Sequence, residues 1–172
     1  MRAAGSLLLV FAVVSLAAVY STACPRGKAA PPEQLSSLND VRIGMPEGLP
    51  AASKSLFFYD QHGHFGDKVQ YNSTTTDSSG GTYIIHCRGG KCIGVEVKYP
   101  SPGTTRETAV SVMNNLLKGV APRLSERDDD DLRLHDCKLP GEFFYFGDRV
   151  RAEICYKDGT DVRVSQVNVW SN

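Results

Sequence analysis

Thr82 to Tyr99 reads TYIIHCRGGKCIGVEVKY, and the fold turns on how this stretch is read. Two runs rich in β-branched and aromatic residues, Thr82–Cys87 and Cys92–Tyr99, flank Arg88-Gly89-Gly90-Lys91. A Gly-Gly pair between such runs signals a two-residue hairpin, because both turn positions take a positive φ that glycine adopts without steric cost. With that loop, Arg88 faces Lys91 and Cys87 faces Cys92, in the pair where side chains come closest. The same register sets His86 opposite Ile93, on a face shared with Ile84, Val95 and Val97. A lone histidine there reads as a packed residue, not a catalyst.

Downstream of the hairpin, Ser101-Pro102-Gly103 breaks the chain and Thr104-Thr105 offers a helix cap. Ala109, Val112, Met113, Leu116, Leu117 and Val120 then recur at helical spacing, which predicts an amphipathic helix from about Arg106. Gly119 and Pro122 help to end it. Leu56–Tyr59, Glu142–Phe146, Arg149–Tyr156 and Val162–Trp170 read as further strands. The apolar period of the last slips between Val164 and Val167, which predicts a bulge. Asn72–Gly81 is a polar loop rich in turn formers, and Asp158-Gly159 is a second hairpin turn. Gly44, Pro46, Gly48 and Pro50 interrupt Gln34–Leu56, so only short helical turns are expected there. The expectation is an α+β fold, an antiparallel β-sheet packed with one main amphipathic helix, in a single domain over residues 38–172.

An internal echo suggests two repeated helix-plus-sheet modules, with halves 38–100 and 101–172. Phe57-Phe58-Tyr59 leads to Phe65-Gly66-Asp67-Lys68-Val69, and Phe143-Phe144-Tyr145 leads to Phe146-Gly147-Asp148-Arg149-Val150. A cysteine-bearing strand, a glycine turn and a valine-rich strand follow each.

The chain opens with Arg2 as the one charge of a short n-region, then the uncharged run SLLLVFAVVSLAAVY over Ser6–Tyr20. That run is too short to span a bilayer comfortably and fits the h-region of a signal peptide, here residues 1–23. Ser21-Thr22-Ala23 sets small residues before a cut, Cys24 follows, and Pro25 with Ala29-Ala30-Pro31-Pro32 makes a flexible spacer over residues 24–37. The arrangement resembles the lipobox of bacterial lipoproteins, with Ser21 where that family usually has leucine. The resemblance implies lipidation of the Cys24 thiol and an extracytoplasmic, membrane-anchored protein; an ordinary signal cut with a periplasmic or secreted product is the alternative.

Five cysteines support that reading: Cys24, Cys87, Cys92, Cys137 and Cys155. A lipid on Cys24 leaves four to pair, and the most local pairing is Cys87–Cys92 with Cys137–Cys155. A metal half-site is the alternative for the Cys87/Cys92 spacing, and no second Cys/His pair of suitable spacing accompanies it.

Lys plus Arg and Asp plus Glu both number 19, a balance that gives no support for nucleic-acid binding, which needs a basic face. No G-x-S-x-G or H-E-x-x-H occurs. Carboxylates such as Glu142 and Asp148 carry no nucleophile–base spacing. His62-Gly63-His64 reads as a loop without a third metal ligand, and the acidic run Ser125–Asp131 lacks EF-hand spacing. No catalytic residue, metal or cofactor is expected. Phe57, Phe58, Tyr59, Phe143, Phe144, Tyr145 and Trp170 are the candidate contact aromatics, with Phe143, Phe144 and Tyr145 the expected binding residues. Tandem helix-then-sheet modules with a disulfide in each half resemble the β-lactamase-inhibitor-protein and BamE-like outer-membrane-assembly architecture. Ile43-Gly44-Met45 is similar to that family's xGM helix start; the second half lacks the triplet. The resemblance implies a protein that binds other proteins and catalyses nothing. The expected function is therefore non-enzymatic binding of an envelope or extracellular macromolecule, with a small secreted hydrolase or a carrier of a small hydrophobic ligand as alternatives.

Overall fold

Gly89 and Gly90 take φ of +58° and +78°, and the hairpin they close joins Thr82–Arg88 to Lys91–Lys98 with Arg88 opposite Lys91 and Cys87 opposite Cys92. A computed structural model of the chain describes residues 33–120, 125–126, 141–146, 149–157 and 163–171. In chain order the strands are β1 (Phe57–Phe65), β2 (Lys68–Ser73), β3 (Thr82–Arg88), β4 (Lys91–Lys98), β5 (Ser125–Glu126), β6 (Gly141–Phe146), β7 (Val150–Tyr156) and β8 (Val164–Ser171). They form one antiparallel sheet in the order β1-β2-β3-β4-β8-β7-β6-β5, in which β5 is only a two-residue pairing. The fold is α+β, as the patterning predicts.

The helical elements are a 3₁₀ turn over Leu38–Asp40, a five-residue helix α1 (Gly48–Ala52) and the main helix α2 (Arg106–Leu116). Thr105 caps α2 by accepting a hydrogen bond from the Thr108 amide. Ala109, Val112, Met113, Leu116 and Leu117 are buried, and α2 lies against β8 and β7. Val120, the last residue of the predicted stripe, lies beyond the helix and is 40% exposed. The core beneath the helices gathers Tyr83, Ile85, Val95, Val97, Val167, Val169, Ala152 and Ile154, which alternate along their strands as a half-covered sheet requires. No helix among the described residues is long and apolar enough to cross a membrane.

Three expectations need correction. The register of β3 and β4 shifts between His86 and Cys87, so His86 pairs with Gly94 and Ile84 with Glu96. One extra residue turns every later side chain of β4 over. Val95 and Val97 therefore meet Ile85 and Tyr83, and His86 shares its face with Glu96 instead of the apolar core. Second, His62 and His64 belong to β1, not a loop: between Asp60↔Gln70 and Phe65↔Lys68, β1 carries three more residues than β2. Third, the echoed motifs are out of step with the strand order. Phe57-Phe58-Tyr59 starts β1 at the end of the sheet, whereas Phe143-Phe144-Tyr145 lies in β6, one strand in from β5.

The bulge expected in the last strand is present, since Cys155 pairs with Gln166 and Tyr156 with Val164. Ile43-Gly44-Met45 is not a helix start: Ile43 and Gly44 form a turn, with Gly44 at φ +77°, ahead of α1. Its backbone docks on the hairpin, the Gly44 amide donating to Cys92 O (2.8 Å) and the Cys92 amide to Met45 O (2.9 Å). The expected leader and spacer up to residue 32, with Cys24, and Cys137, most of the acidic run and Asp158-Gly159 lie outside the described residues.

Candidate functional site

The seven candidate aromatics do not behave alike. Phe57, Phe143 and Phe144 are buried, and Tyr145 and Trp170 are half-buried. Phe58 and Tyr59 are 50% and 44% exposed. The free contact area expected at Phe143 and Phe144 is not there, because β6 is inside the sheet, between β7 and β5, and both faces of these two residues' strand are covered. The exposed aromatic surface lies instead at β1, which among the described residues pairs with β2 alone.

Beside β1 is a groove of about 410 Å³ lined by Pro50, Ala51, Lys54, Phe57, Phe58, Tyr59 and Tyr71. Ser53, itself buried, builds it. Its hydroxyl donates to Leu49 O (2.7 Å) and accepts from the Leu35 amide (2.8 Å). Its carbonyl accepts from the amides of Leu56 and Phe57, both at 2.9 Å. These bonds fold α1 back along the start of β1 and bring Lys54 to the groove rim. The rings of Tyr59 and Tyr71 meet edge-on, 5.8 Å apart at 64°. The Tyr71 hydroxyl donates to Glu47 Oε1 at 3.1 Å, and burial, reinforced by Glu47, pushes its pKa well above the usual tyrosine range. Tyr71 is thus a neutral donor and a fixed wall.

The sheet face away from α2 carries a polar network that is largely self-satisfied. His86 Nε2 and Lys98 Nζ contact Glu96 at 2.8 and 3.3 Å. Burial works against the Glu96 carboxylate, yet the His86 hydrogen bond and the Lys98 charge hold its pKa below the ordinary value. Gln166 donates to Asn168 Oδ1 (2.6 Å) and Asn168 to Glu153 Oε2 (3.1 Å). Near β1, Asn72 donates to Asp60 Oδ2 at 2.9 Å. His86 also stacks on Trp170, ring centroids 4.8 Å apart.

Glu142 is taken up structurally. Arg106 grips it with Nε and an amino nitrogen at 2.6 and 2.5 Å, and the Tyr156 hydroxyl donates to the same carboxylate. Among the described residues no group of three or more His, Cys, Asp or Glu is placed to hold a metal.

Cys87 and Cys92 are buried thiols whose sulfurs face each other at 2.7 Å. That is nearer than ordinary contact and longer than a disulfide bond of about 2.05 Å. Contact with Cys92, and then burial, raises the Cys87 pKa, so this thiol is not an activated nucleophile. Cys155 is buried in β7, and its expected partner Cys137 lies outside the described residues.

No family model matches the sequence, and no curated protein matches it. Among solved structures, a cysteine-rich secretory protein from Staphylococcus aureus aligns with 10% identity and a TM-score of 0.33. The alignment covers 77% of this chain and 47% of that one, so this chain spans about half the length of the protein it matches.

Proposed function

We propose that the chain is an exported, lipid-anchored protein of the bacterial envelope that catalyses nothing and binds another macromolecule through the aromatic groove beside β1. The observation that carries the binding surface is the exposure of Phe58 and Tyr59, 50% and 44%, on a strand that ends the sheet. Large apolar side chains gathered at one place on a folded domain favour a contact surface. Lipidation at Cys24 rests on the leader, on Ser21-Thr22-Ala23-Cys24 and on the odd cysteine count. A tether there raises the effective concentration of the domain toward neighbouring envelope proteins.

The reading extends to a duplicated architecture. Each half supplies a helical segment followed by four strands, and the order β1-β2-β3-β4-β8-β7-β6-β5 sets the last strands of the halves side by side at the centre. Two antiparallel four-stranded meanders joined in this way would be related by a two-fold axis. A second reading, carriage of a small hydrophobic ligand, is favoured by one observation: about 410 Å³ of largely aromatic-lined space suits a small ligand.

The test is capture of partners from native envelope by the processed protein, compared with a Phe58→Ala/Tyr59→Ala variant. A partner that binds the wild type, is lost with the double variant and is retained by Val120→Ser supports the reading. Equal recovery by all three contradicts it. Extraction of a lipid-soluble compound from the wild type alone replaces it with the carrier reading.

A further inference from the structure

We propose that the sheet face away from α2 carries a second binding site, separate from the groove beside β1. It is an oxyanion site built on Arg151 and Trp170, and it takes a carboxylate or phosphate group of an external ligand.

Strand register sets its residues side by side. Tyr145 pairs with Arg151, Arg151 with Trp170, Trp170 with Gly94, and Gly94 with His86. They form one row across β6, β7, β8, β4 and β3. Ala152, Ile154, Val167 and Val169 belong to the core on the α2 side, so alternation along β7 and β8 turns Arg151 and Trp170 to the other face. Directly opposed residues have Cβ atoms about 5 Å apart. Arg151 thus stands in the row between a phenol and an indole, both half-buried, the kind of side chain on which a guanidinium packs well.

The hydrogen bonds separate this pair from the rest of the face. His86 is matched to Glu96, Gln166 to Asn168, Asn168 to Glu153, and Asn72 to Asp60. Arg151 and Trp170 have no such match. Arg151 Nε and Trp170 Nε1 are two of the three buried side-chain nitrogen and oxygen atoms without a hydrogen-bond partner among the described residues. Both are donors, so an acceptor is what the pair lacks. Arg151 also joins none of the ion pairs among the described residues. A half-buried guanidinium without an acceptor or counter-charge is costly, and a bound anion would offset that cost. The terminal nitrogens of Arg151 are not among the buried unpartnered atoms, so they are the part that meets solvent. They can grip two oxygens of one anion at once.

Neighbouring charges favour an anion. Arg149, exposed and two residues upstream, likewise joins none of those ion pairs. Glu153, two residues downstream on the same face, is 1% exposed and accepts from Asn168 at 3.1 Å. Glu96 is engaged by His86 and Lys98. The carboxylates nearest by register are therefore committed to other groups. Partial burial strengthens the attraction between Arg151 and an incoming oxyanion.

Trp170 is the one tryptophan of the chain, so its emission reports the site directly. The experiment titrates the processed full-length protein with sodium phosphate, glycerol phosphate, acetate and glucuronate at constant ionic strength. Chloride is the control anion, and the thermal midpoint is followed in parallel. A saturable emission change is expected, half-complete on the order of 1 mM, together with a rise in thermal midpoint. A response to the two phosphates alone assigns a phosphate ligand; a response to acetate and glucuronate alone assigns a carboxylate. Arg151→Gln should weaken binding at least tenfold. Arg151→Lys, which keeps the charge and loses the planar fork, should weaken it about three- to tenfold. The Phe58→Ala/Tyr59→Ala variant should bind as the wild type does. No saturable change with any of the four anions overturns the proposal, as does a change that chloride reproduces. Unaltered affinity in Arg151→Gln also overturns it. If Arg151→Gln does not fold, Arg151→Lys decides, and affinity equal to the wild type then overturns the proposal.

Discussion

Gly94 shows how one residue holds a face together. A Cβ built there would lie 2.1 Å from the Trp170 ring, so the indole occupies the space a side chain would need. Trp170 in turn stacks on His86, which holds Glu96. Gly94→Ala is expected to push the indole aside and cost about 1–3 kcal/mol, the usual range for overpacking. Trp170 is the one tryptophan of the chain, so its emission and the urea midpoint report the change together. Glu142 gives the pH dependence. The Arg106 hydrogen bonds, opposed by burial and aided by Tyr156, hold its pKa below the ordinary 4.5. A lowered folded pKa contributes stability that is complete above the unfolded value and is lost as pH falls through the folded one. Arg106→Ala should therefore raise the pH of acid unfolding, and cost about 1 kcal/mol or less at neutral pH, because the guanidinium is 47% exposed and screened. Urea unfolding at pH 3 to 7 checks both, and an acid limb identical to the wild type would show that Arg106 contributes nothing to it.

The β3–β4 hairpin is the element on which most of the sequence reading rests. Its cysteines face each other one pair behind Arg88 and Lys91, which flank the turn, so oxidation on export is expected to join Cys87 to Cys92. Closing so short a loop restricts the unfolded chain by about 2 kcal/mol. Non-reducing peptide mapping of the exported protein should recover that pair; Cys87 joined to Cys137 would contradict it. The turn, the cysteine pair, the α2 stripe and the β8 bulge were all legible in the sequence, because each depends on local spacing: two adjacent glycines, a 3.6-residue period, a slip in a two-residue period. The bulge in β4 was missed although its signal is local: Gly94 interrupts the strand, and Val95 and Val97 are out of phase with Cys92. Trp170 over Gly94 and Ile43–Met45 on the hairpin backbone accompany the shift. The aromatic surface was misplaced for another reason. Phe57-Phe58-Tyr59 and Phe143-Phe144-Tyr145 are alike as text, and only strand order decides that one lies at the end of the sheet and the other inside it.

For the whole molecule, the proposed leader and tether and the exposed aromatic strand combine into one proposal: an α+β domain that a lipid at Cys24 would hold near a membrane, with one end of its sheet presented to a neighbour. Mass spectrometry of the membrane fraction should find a mature start at Cys24 carrying diacylglycerol; an unmodified thiol there removes the anchor but not the groove. Phe58 and Tyr59 are half exposed and Tyr59 meets the Tyr71 ring, so replacing both should cost about 1–2 kcal/mol, and a double variant shown by its urea midpoint to stay folded reports contact when it loses the partner. The most direct measurement installs a photo-crosslinking residue at position 59 in the protein expressed in its own envelope, with position 118, an exposed residue past α2, as the control. The account predicts discrete adducts at position 59 that disappear with Phe58→Ala and do not form at position 118. Equal adducts at both positions, or none at position 59, would contradict it.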